Sequence, residues 1–317
     1  MSRVLVTGAS GFIGRSVVAA LASDGHIVRA AVRRPQFSFA GAVEVVQHPD
    51  LTEPVEWQRL LAGIEQVVHL AGIAHTGHGA GTAVYDLVNR RATAQLAMAA
   101  AGLDRFVFVS SIRAQSGPAA DHTLSERDPP APTDAYGRSK LAAEEAVRAA
   151  GVPFTILRPV LLYGPGVKGN FATLARAAAS PLPLPVKDFV NRRSMLGIDN
   201  FVSALKFVLS APNAVGETYV VADPGKALRL ADVIATLRQA EGRRPLIMPM
   251  PTNYIEMPLR LLGRADIWDR LGGNLRVDTG KLVAAGWQPL HDTHAGLTAM
   301  AQAAAPRKSG TASVSTR

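Results

Sequence analysis

Short runs of consecutive apolar residues alternate along this chain with longer segments in which apolar residues recur every three or four positions. The first run, Val4 to Val6, is typical of a parallel strand that is buried on both faces. The longer segments have the periodicity of amphipathic helices. This alternation continues to residue 221 and predicts a doubly wound α/β fold with a parallel sheet. The predicted strands are residues 4–6, 27–32, 43–46, 66–70, 105–109, 154–157 and 218–221, and the predicted helices are residues 12–23, 82–101, 135–150 and 200–209.

Three glycines separate the first strand from the first helix. Gly8 permits a tight turn, Gly11 allows close approach of a pyrophosphate, and Gly14 lets the helix pack closely on the strand. The helix N-terminus offers N–H groups and its positive dipole end to phosphates. The spacing is GxxGxxG rather than GxGxxG, so the glycines alone also fit a turn without a ligand. Together with the strand and the helix they predict a Rossmann-type dinucleotide site, in which the loop residues are Gly8, Ser10, Gly11, Phe12, Ile13 and Gly14.

The regular alternation breaks after residue 165, where glycine and proline become frequent. The chain returns to the sheet near Ile198 and Asp199 and leaves it after residue 222. We therefore assign residues 1–165 and 197–222 to the dinucleotide-binding domain. Residues 166–196 and 223–300 are expected to form a smaller mixed α/β lobe that binds the substrate. Residues 301–317 have little to bury, which predicts a disordered tail.

Composition favours a cytoplasmic enzyme, with 317 residues of which 48% are hydrophobic and 19% charged. Cysteine is absent, which excludes disulfides and thiolate catalysis. No apolar run reaches the roughly 18 residues that span a membrane, and the first strand begins too early to leave room for a signal peptide. The net charge of +9 suggests an anionic ligand, but no nucleic-acid motif accompanies it. No residues have convincing metal-ligand spacing, so we expect no metal, nucleic-acid or membrane partner.

Two arginines follow the second predicted strand, at the position where Rossmann domains contact the adenosine ribose. An acid there selects NAD, whereas an arginine accommodates the 2′-phosphate of NADP. The strand ends at Val32, and Arg33 and Arg34 follow. NADP(H) is therefore favoured. NAD(H) stays open, because NAD enzymes without the acid exist and both arginines also fit solvated surface charges.

Tyr136 and Lys140 are four residues apart in a helical pattern and therefore share a face. A nearby ammonium lowers the pKa of a tyrosine, which is otherwise a poor acid or base at neutral pH. Ser111 follows the fifth predicted strand and can hold a substrate oxygen against the Tyr136 hydroxyl, although Ser110 is an alternative. The three side chains predict proton transfer during carbonyl and alcohol interconversion, with hydride exchanged with the cofactor. The Tyr136 and Lys140 spacing alone would also fit a solvated pair.

The glycine loop, Asn89, Ser111, Tyr136 and Lys140 stand in an order that resembles the extended short-chain dehydrogenase/reductase superfamily, the NAD-dependent epimerase/dehydratase family. The resemblance implies that Asn89 supports a water beside Lys140. It also implies that helices 82–101 and 135–150 form a four-helix homodimer interface. The remaining cofactor contacts that it implies are Asp50 and Leu51 at the adenine ring, Leu70, Ala71 and Gly72 after the fourth strand, and Pro159 after the sixth.

Segments near residues 158–171 and 191–200 are similar to those of nucleotide-sugar epimerases, dehydratases and 4-reductases. In those enzymes an asparagine like Asn170 and an arginine like Arg192 bind the nucleotide diphosphate, which a guanidinium fork suits. Arg270 would supply a second contact, although its spacing to Asp278 departs from the epimerase pattern. Arg192 and Arg193 also fit ordinary surface charges. The expected substrate site consists of Ser111, Arg113, Asn170, Phe171, Arg192 and Arg270.

Two segments, Ser110 to Arg113 and Gly164 to Phe171, are most similar to UDP-4-keto-6-deoxy-N-acetylhexosamine 4-reductases of surface polysaccharide synthesis. Reduction of a UDP-4-keto-hexosamine at C4 is therefore the expected reaction, which Arg33 and Arg34 favour because NADPH is the common reductant. The alternative is a nucleotide-sugar 4-epimerase with retained NAD. Ile112 and Arg113 replace the acidic pair of dehydratases and argue against dehydration. An apolar carbonyl substrate and a non-catalytic NADP-binding sensor are further alternatives.

Overall fold

A computed structural model of the protein describes residues 1–74, 81–263, 268 and 272–304. Its strands are, in chain order, β1 (Arg3–Thr7), β2 (Ile27–Val32), β3 (Val43–Gln47), β4 (Gln66–His69), β5 (Arg105–Val109), β6 (Thr123–Leu124), β7 (Phe154–Pro159), β8 (Leu161–Tyr163), β9 (Arg192–Arg193), β10 (Met195–Gly197), β11 (Glu217–Val221), β12 (Leu228–Arg229) and β13 (Arg276–Val277).

Helices cover both faces of the sheet and build the smaller lobe. They are α1 (Phe12–Ser23), α2 (Trp57–Leu61), α3 (Thr82–Tyr85), a π-helical segment (Asp86–Arg91), α4 (Ala92–Ala99), α5 (Ile112–Gln115), α6 (Ala135–Ala149), α7 (Asn170–Ala179), α8 (Ile198–Ser210), a 3₁₀ turn (Pro212–Ala214), α9 (Leu230–Ala240), α10 (Asn253–Leu261), α11 (Gly280–Ala284) and α12 (Thr293–Ala304).

The central sheet has seven parallel strands in the order β11-β7-β5-β4-β1-β2-β3. The strand order reverses between β1 and β4, and ligands of doubly wound sheets bind at such a switch point, beyond the carboxyl ends of the strands. Val4, Leu5 and Val6 are fully buried, as the continuous apolar run predicts. This Rossmann-type α/β architecture confirms the predicted fold class.

Two hydrophobic clusters lie on opposite faces of the sheet. One joins the sheet to α1 and α8, and the other joins it to α2, α4 and α6. A third cluster holds the smaller lobe together, with Tyr163 packed among side chains of α7, α9 and α12. Leu282 and Trp287 belong to the first cluster. Residues near 275–287 thus pack on the dinucleotide-binding domain, although the sequence assigned them to the smaller lobe.

Three local features differ from the sequence-based expectations. The helix expected over residues 82–101 is interrupted by the π-helical segment Asp86–Arg91. The chain does not return to the central sheet near Ile198, because the preceding strand β10 pairs with β8 in a separate two-stranded sheet. The last helix continues to Ala304, so residues 301–304 are not part of a tail. Its inner face meets the third cluster at Ala301, which explains the extra turn.

Candidate active site

The glycine loop lies at the carboxyl edge of the sheet, between β1 and α1. Gly8 has a φ of +67°, and a Cβ on it would lie 2.8 Å from Ala71 N. A Cβ on Gly14 would lie 2.2 Å from Gly8 O, so no side chain fits there. Gly11 precedes α1 without a side-chain cap, which leaves the first-turn N–H groups facing the loop. This cradle fits the phosphates of a dinucleotide, and the half-buried side chains beside it are Ser10, Phe12 and Ile13.

The arginines after β2 have different surroundings. Arg33 Nη1 donates to Asp50 Oδ2 at 3.0 Å. Asp50 Oδ1 accepts from the Thr52 N–H at 3.1 Å, and these two partners hold the pKa of Asp50 below its usual value. Arg34 is exposed and makes no ion pair among the described residues. The charge of Arg33 is thus offset by an adjacent carboxylate, whereas the charge of Arg34 is not.

The loop after β4 passes between the sheet and the π-helical segment. Asn89 Oδ1 accepts from Ile73 N at 2.9 Å, and Asn89 Nδ2 donates to Ile73 O at 3.0 Å and to Ser139 Oγ at 3.0 Å. A Cβ on Gly72 would lie 2.9 Å from Asn89 Oδ1 and 3.6 Å from Lys140 Nζ. The structure therefore uses the Asn89 amide to hold this loop beside Lys140. A role of Asn89 in supporting a water stays a prediction.

The Ser111 side chain is a hydrogen-bond partner of the Tyr136 side chain. Burial raises the pKa of Tyr136, and the hydrogen bond from Ser111 lowers it by less. The pKa therefore differs from the lowered value expected from the sequence, because loss of water destabilises the phenolate. Ser111 Oγ also accepts from Arg113 N at 3.2 Å. Ser110 instead donates to Glu144 Oε1 at 2.6 Å, so Ser111 is the serine that faces the tyrosine.

Lys140 lies one helical turn after Tyr136 and is 5% exposed. Its Nζ donates to Val109 O at 2.9 Å and lies 4.7 Å from the centre of the Phe108 ring. Burial lowers the pKa of Lys140 to about 8, and the Glu144 carboxylate opposes this shift. The ammonium therefore remains mostly protonated at pH 7, where it is held at the end of β5 beside the loop after β4.

Asp134 joins the two segments that carry the hydroxyl pair. Its Oδ1 accepts from Gly137 N at 2.7 Å and caps α6. Its Oδ2 accepts from Arg113 Nη2 at 2.6 Å. The helix that carries Tyr136 is thereby tied to the turn that carries Ser111. Asp134 is not among the residues predicted from the sequence, although an aspartate directly before a helical pattern is a known N-cap signal.

The two arginines of β9 point in opposite directions, as neighbours on a strand do. Arg192 is exposed and donates to Ala227 O at 3.1 Å. Arg193 donates to Gly273 O at 2.9 Å and to Pro118 O at 3.0 Å. Burial, and to a smaller extent the nearby charge of Arg113, lower the pKa of Arg193 to about 10. The structure thus brings Arg193 near Arg113 at the catalytic turn, whereas Arg192 is the diphosphate ligand predicted from the sequence.

A cleft of about 680 Å³ lies beside Arg193. One wall is the irregular segment from Gln115 to Thr133, and the other includes Trp268, Gly272 and Gly273. Because Arg193 donates to Pro118 O and Gly273 O, its guanidinium joins the two walls. The cleft therefore begins four residues after Ser111 and has a buried cation at its edge.

The structure describes only some of the other residues that were predicted to contact the substrate. Phe171 is 2% exposed and packs 5.8 Å from the Tyr163 ring, between ring centres. Its side chain belongs to the core of the smaller lobe, and a substrate contact by Phe171 stays a prediction. Asn170 begins α7, but its side chain lies outside what the structure describes. Arg270 also lies outside the described residues.

The sequence from residue 4 to residue 222 matches the family model described as "NAD dependent epimerase/dehydratase family". The chain belongs to this family. It is an enzyme of the short-chain dehydrogenase/reductase type, as the resemblance implied. Its core of glycine loop, Ser111, Tyr136 and Lys140 falls within the matched region, and that region ends with the last strand of the central sheet.

Relatives within the family act on different substrates. The chain is 32% identical over 313 residues to a "UDP-glucose 4-epimerase" of Vibrio cholerae, with 95% of this chain and 94% of that protein covered. It is 30% identical over 308 residues to a "3 beta-hydroxysteroid dehydrogenase/Delta 5-->4-isomerase" of Mycobacterium tuberculosis, with 92% and 76% covered. Family membership thus establishes the type of enzyme but leaves the substrate to be argued from the site.

The fold is also similar to that of MoeE5 solved in complex with UDP-glucose and NAD. The TM-score is 0.74 at 26% identity, and the match covers 95% of this chain and 97% of MoeE5. Among the helices that the structure describes, none has the length and apolar character to cross a membrane. Within the same residues, no group of three or more histidine or acidic side chains is placed to hold a metal ion.

A buried network of charged side chains connects the segments that carry the active-site residues. Glu144 is fully buried, and its carboxylate accepts from Arg158 Nε at 2.8 Å, Arg158 Nη2 at 2.6 Å and Ser110 Oγ at 2.6 Å. Arg158 also donates to Gln115. The network links α6, β7 and the turn after β5. The sequence analysis missed it, although Glu144 stands one turn after Lys140 on the same helix face.

Proposed function

We propose that this enzyme interconverts an alcohol and a ketone at C4 of a nucleotide sugar. The observation that carries the proposal is the hydrogen-bonded pair of Ser111 and Tyr136, with Lys140 one helical turn away, at the carboxyl edge of the sheet. Ser111 holds the substrate oxygen, and Tyr136 transfers its proton. A bound nicotinamide dinucleotide supplies the acceptor or donor of hydride.

Side chains of the protein set the protonation of Tyr136 and stabilise the charge that develops on it. Burial raises the pKa of Tyr136, so its hydroxyl carries the proton that is needed when a ketone is reduced. Lys140 supplies a positive charge that favours loss of that proton as negative charge develops on the ring. Asp134 holds the two hydroxyl-bearing segments together, which restricts the approach of the substrate oxygen to one direction.

Arg113 and Arg193 support an anionic substrate. Burial and the nearby charge of Arg113 lower the pKa of Arg193, and an anion beside these two guanidinium groups would offset their repulsion. A nucleotide diphosphate is such an anion, and its phosphate oxygens match the geometry of a guanidinium fork. We therefore assign the diphosphate contact of β9 to Arg193, which borders the cleft, and keep Asn170 and Arg270 as predicted contacts.

Epimerisation is the net reaction that the Vibrio cholerae relative favours, because that protein is a UDP-glucose 4-epimerase and the match covers nearly all of both chains. In an epimerase the alcohol is oxidised first, so Tyr136 must be a phenolate to accept the proton of the C4 hydroxyl while the C4 hydride passes to the dinucleotide. It then returns the proton when the hydride is added back to the other face of the ketone. NAD would be retained throughout such a cycle. MoeE5, whose structure includes NAD and UDP-glucose, is consistent with this arrangement.

The proposal is tested by incubating the purified protein with UDP-glucose and UDP-N-acetylglucosamine and following the C4 epimers by NMR. Tyr136→Phe is expected to abolish turnover while dinucleotide binding is kept. Tyr254→Phe is the matched control, because Tyr254 is 68% exposed on α10, outside the site. Turnover that persists in Tyr136→Phe would show that another group transfers the proton.

Net reduction of a UDP-4-keto-hexosamine is the second candidate, and Arg34 is the observation that favours it. This exposed arginine follows β2 without an ion-pair partner among the described residues, which suits the 2′-phosphate of NADPH. Reduction predicts a lower KM for NADPH than for NADH, and Arg34→Ser should remove that difference. A clear preference for NADH, or NAD that stays bound through purification, would instead support the epimerase.

The Mycobacterium tuberculosis relative supports a test with an apolar carbonyl substrate. Thermal protection of the protein by UDP is expected if the substrate is a nucleotide sugar. Activity with a steroid ketone, together with no thermal protection by UDP, would contradict the nucleotide-sugar proposal while leaving the role of Tyr136 intact.

A further inference from the structure

Three buried polar side chains connect the glycine loop to the π-helical segment. Thr7, His69 and Thr93 are each at most 1% exposed. His69 Nδ1 lies 2.7 Å from Thr7 Oγ1, and His69 Nε2 lies 2.9 Å from Thr93 Oγ1. The ring stacks 5.7 Å from the Phe108 ring, between centres. We call these residues the Thr-His-Thr chain.

The hydrogens of this chain can be assigned from its ends. The Thr93 hydroxyl donates to Asn89 O at 2.6 Å, so Thr93 Oγ1 accepts from His69 Nε2–H. His69 Nδ1 then accepts from the Thr7 hydroxyl, and Thr7 Oγ1 accepts from Ala71 N at 3.2 Å. Each of the three side chains therefore donates one hydrogen bond, and all three point from Thr7 toward Asn89. Burial lowers the pKa of His69 to about 3, so the ring is neutral.

Both ends of the Thr-His-Thr chain hold the loop formed by residues 71–73. Thr7 holds Ala71 N, and Thr93 holds the carbonyl of Asn89, whose amide in turn holds both backbone polar groups of Ile73. Asn89 lies within the π-helical segment, where the helical hydrogen bonds are shifted by one residue. The bond from Thr93 fixes one carbonyl of this irregular turn. The loop between Ala71 and Ile73 is thus held at both ends.

We propose that His69, Thr7 and Thr93 are positioning residues that hold the loop 71–73 against Lys140 in the geometry required for dinucleotide binding. The inference rests on the proposed function, because it assumes that the loop borders the bound dinucleotide. The position of Gly72 supports it, since a Cβ on Gly72 would lie 3.6 Å from Lys140 Nζ. A polar chain that only stabilised the core would leave the affinity for dinucleotide unchanged.

The test compares two buried threonines with the same local chemistry. Thr93→Val removes the hydroxyl that donates to Asn89 O, and Thr155→Val removes a fully buried hydroxyl on β7 that donates to Ala214 O, also at 2.6 Å. Each variant also loses the hydrogen bond that the same oxygen accepts, from His69 Nε2 in Thr93 and from Arg105 Nη1 in Thr155, so the number of lost buried hydrogen bonds is matched. Only Thr93 belongs to the Thr-His-Thr chain, so Thr155→Val controls for lost stability.

Dissociation constants for NADH and NADPH are measured by fluorescence titration, at a temperature where each variant is folded by circular dichroism. We expect an approximately tenfold weaker affinity for Thr93→Val and a change within twofold for Thr155→Val. Thr93→Ser keeps the hydroxyl and is expected to restore the wild-type value. Thr93→Val binding as tightly as Thr155→Val would overturn the proposal.

A second variant covers the case in which Thr93→Val does not fold. His69→Gln keeps a donor and an acceptor but has a shorter reach, and is expected to weaken dinucleotide binding about fivefold. Wild-type affinity in this variant would contradict the role of the chain. Absence of dinucleotide binding by the wild-type protein would instead refute the proposed function, so the two failures are distinguishable.

Discussion

Gly137 offers a way to disturb the active site without removing any chemical group. It follows Tyr136 in α6 and packs against the turn that carries Ser111. A Cβ on Gly137 would lie 2.2 Å from Arg113 O and 3.0 Å from Pro132 Cβ. The variant Gly137→Ala therefore forces α6 and the turn apart.

The size of the displacement follows from the contact distance. Real Cβ atoms essentially never lie closer than 3.0 Å to such an atom, so helix and turn must separate by at least about 0.8 Å. Alanine gains about 1 kcal/mol over glycine inside a helix, and overpacking costs about 1–3 kcal/mol. The net loss of stability is therefore small. A misplacement of about 1 Å between reacting groups, however, lowers turnover about 100-fold.

The assay measures kcat for the nucleotide sugar that the wild-type protein converts, together with the midpoint of thermal unfolding. The control is Gly102→Ala, because a Cβ on Gly102 meets no heavy atom within 4 Å. We expect the two variants to have similar stability and kcat values that differ about 100-fold. A kcat for Gly137→Ala within twofold of the control would refute the argument that this contact sets the distance between the two hydroxyls.

Three further predictions concern stability, binding and assembly. The pKa of His69 is lowered to about 3 in the folded protein, against about 6.5 in the unfolded chain. The stability that the neutral ring contributes is therefore complete above pH 6.5 and is lost as the pH falls toward 3. The wild-type protein should lose about 2 kcal/mol more than His69→Gln between pH 7 and pH 5 in denaturant titrations, and equal losses would contradict a neutral buried ring. Arg193→Gln should raise the KM for a nucleotide sugar about 30-fold through loss of a charged hydrogen bond, whereas Arg192→Gln should change it less than threefold; the reverse order would restore Arg192 as the diphosphate ligand. Light scattering should report a homodimer, and a monomer would remove the interface predicted from helices 82–101 and 135–150.

Local sequence patterns predict much of the central sheet. The limits expected for β2 and β5 coincide with the observed strands, because buried parallel strands consist of continuous apolar runs bounded by polar or turn residues. The glycine loop was also predictable, since only glycine fits where a Cβ would lie 2.2 Å from a carbonyl oxygen. These features depend on residues that are neighbours in the chain.

The choice between candidate residues depended on the direction of side chains. Ser110 and Ser111, like Arg192 and Arg193, are adjacent residues of the same chemical type. In extended backbone, neighbouring side chains point to opposite sides, so one residue of each pair meets the site and the other does not. A shift of one residue reverses the assignment, and the sequence pattern does not fix this register.

The sequence by itself determined the order of strands and helices, the dinucleotide cradle and the spacing of Tyr136 and Lys140, because each is a local pattern. Only the tertiary structure decided which polar groups are buried together. It raises the pKa of Tyr136, places Arg193 near Arg113, and joins Thr7, His69 and Thr93 across 86 residues of chain. Burial and hydrogen bonding between distant segments set these properties, since both depend on what the fold brings into contact and not on what is adjacent in sequence.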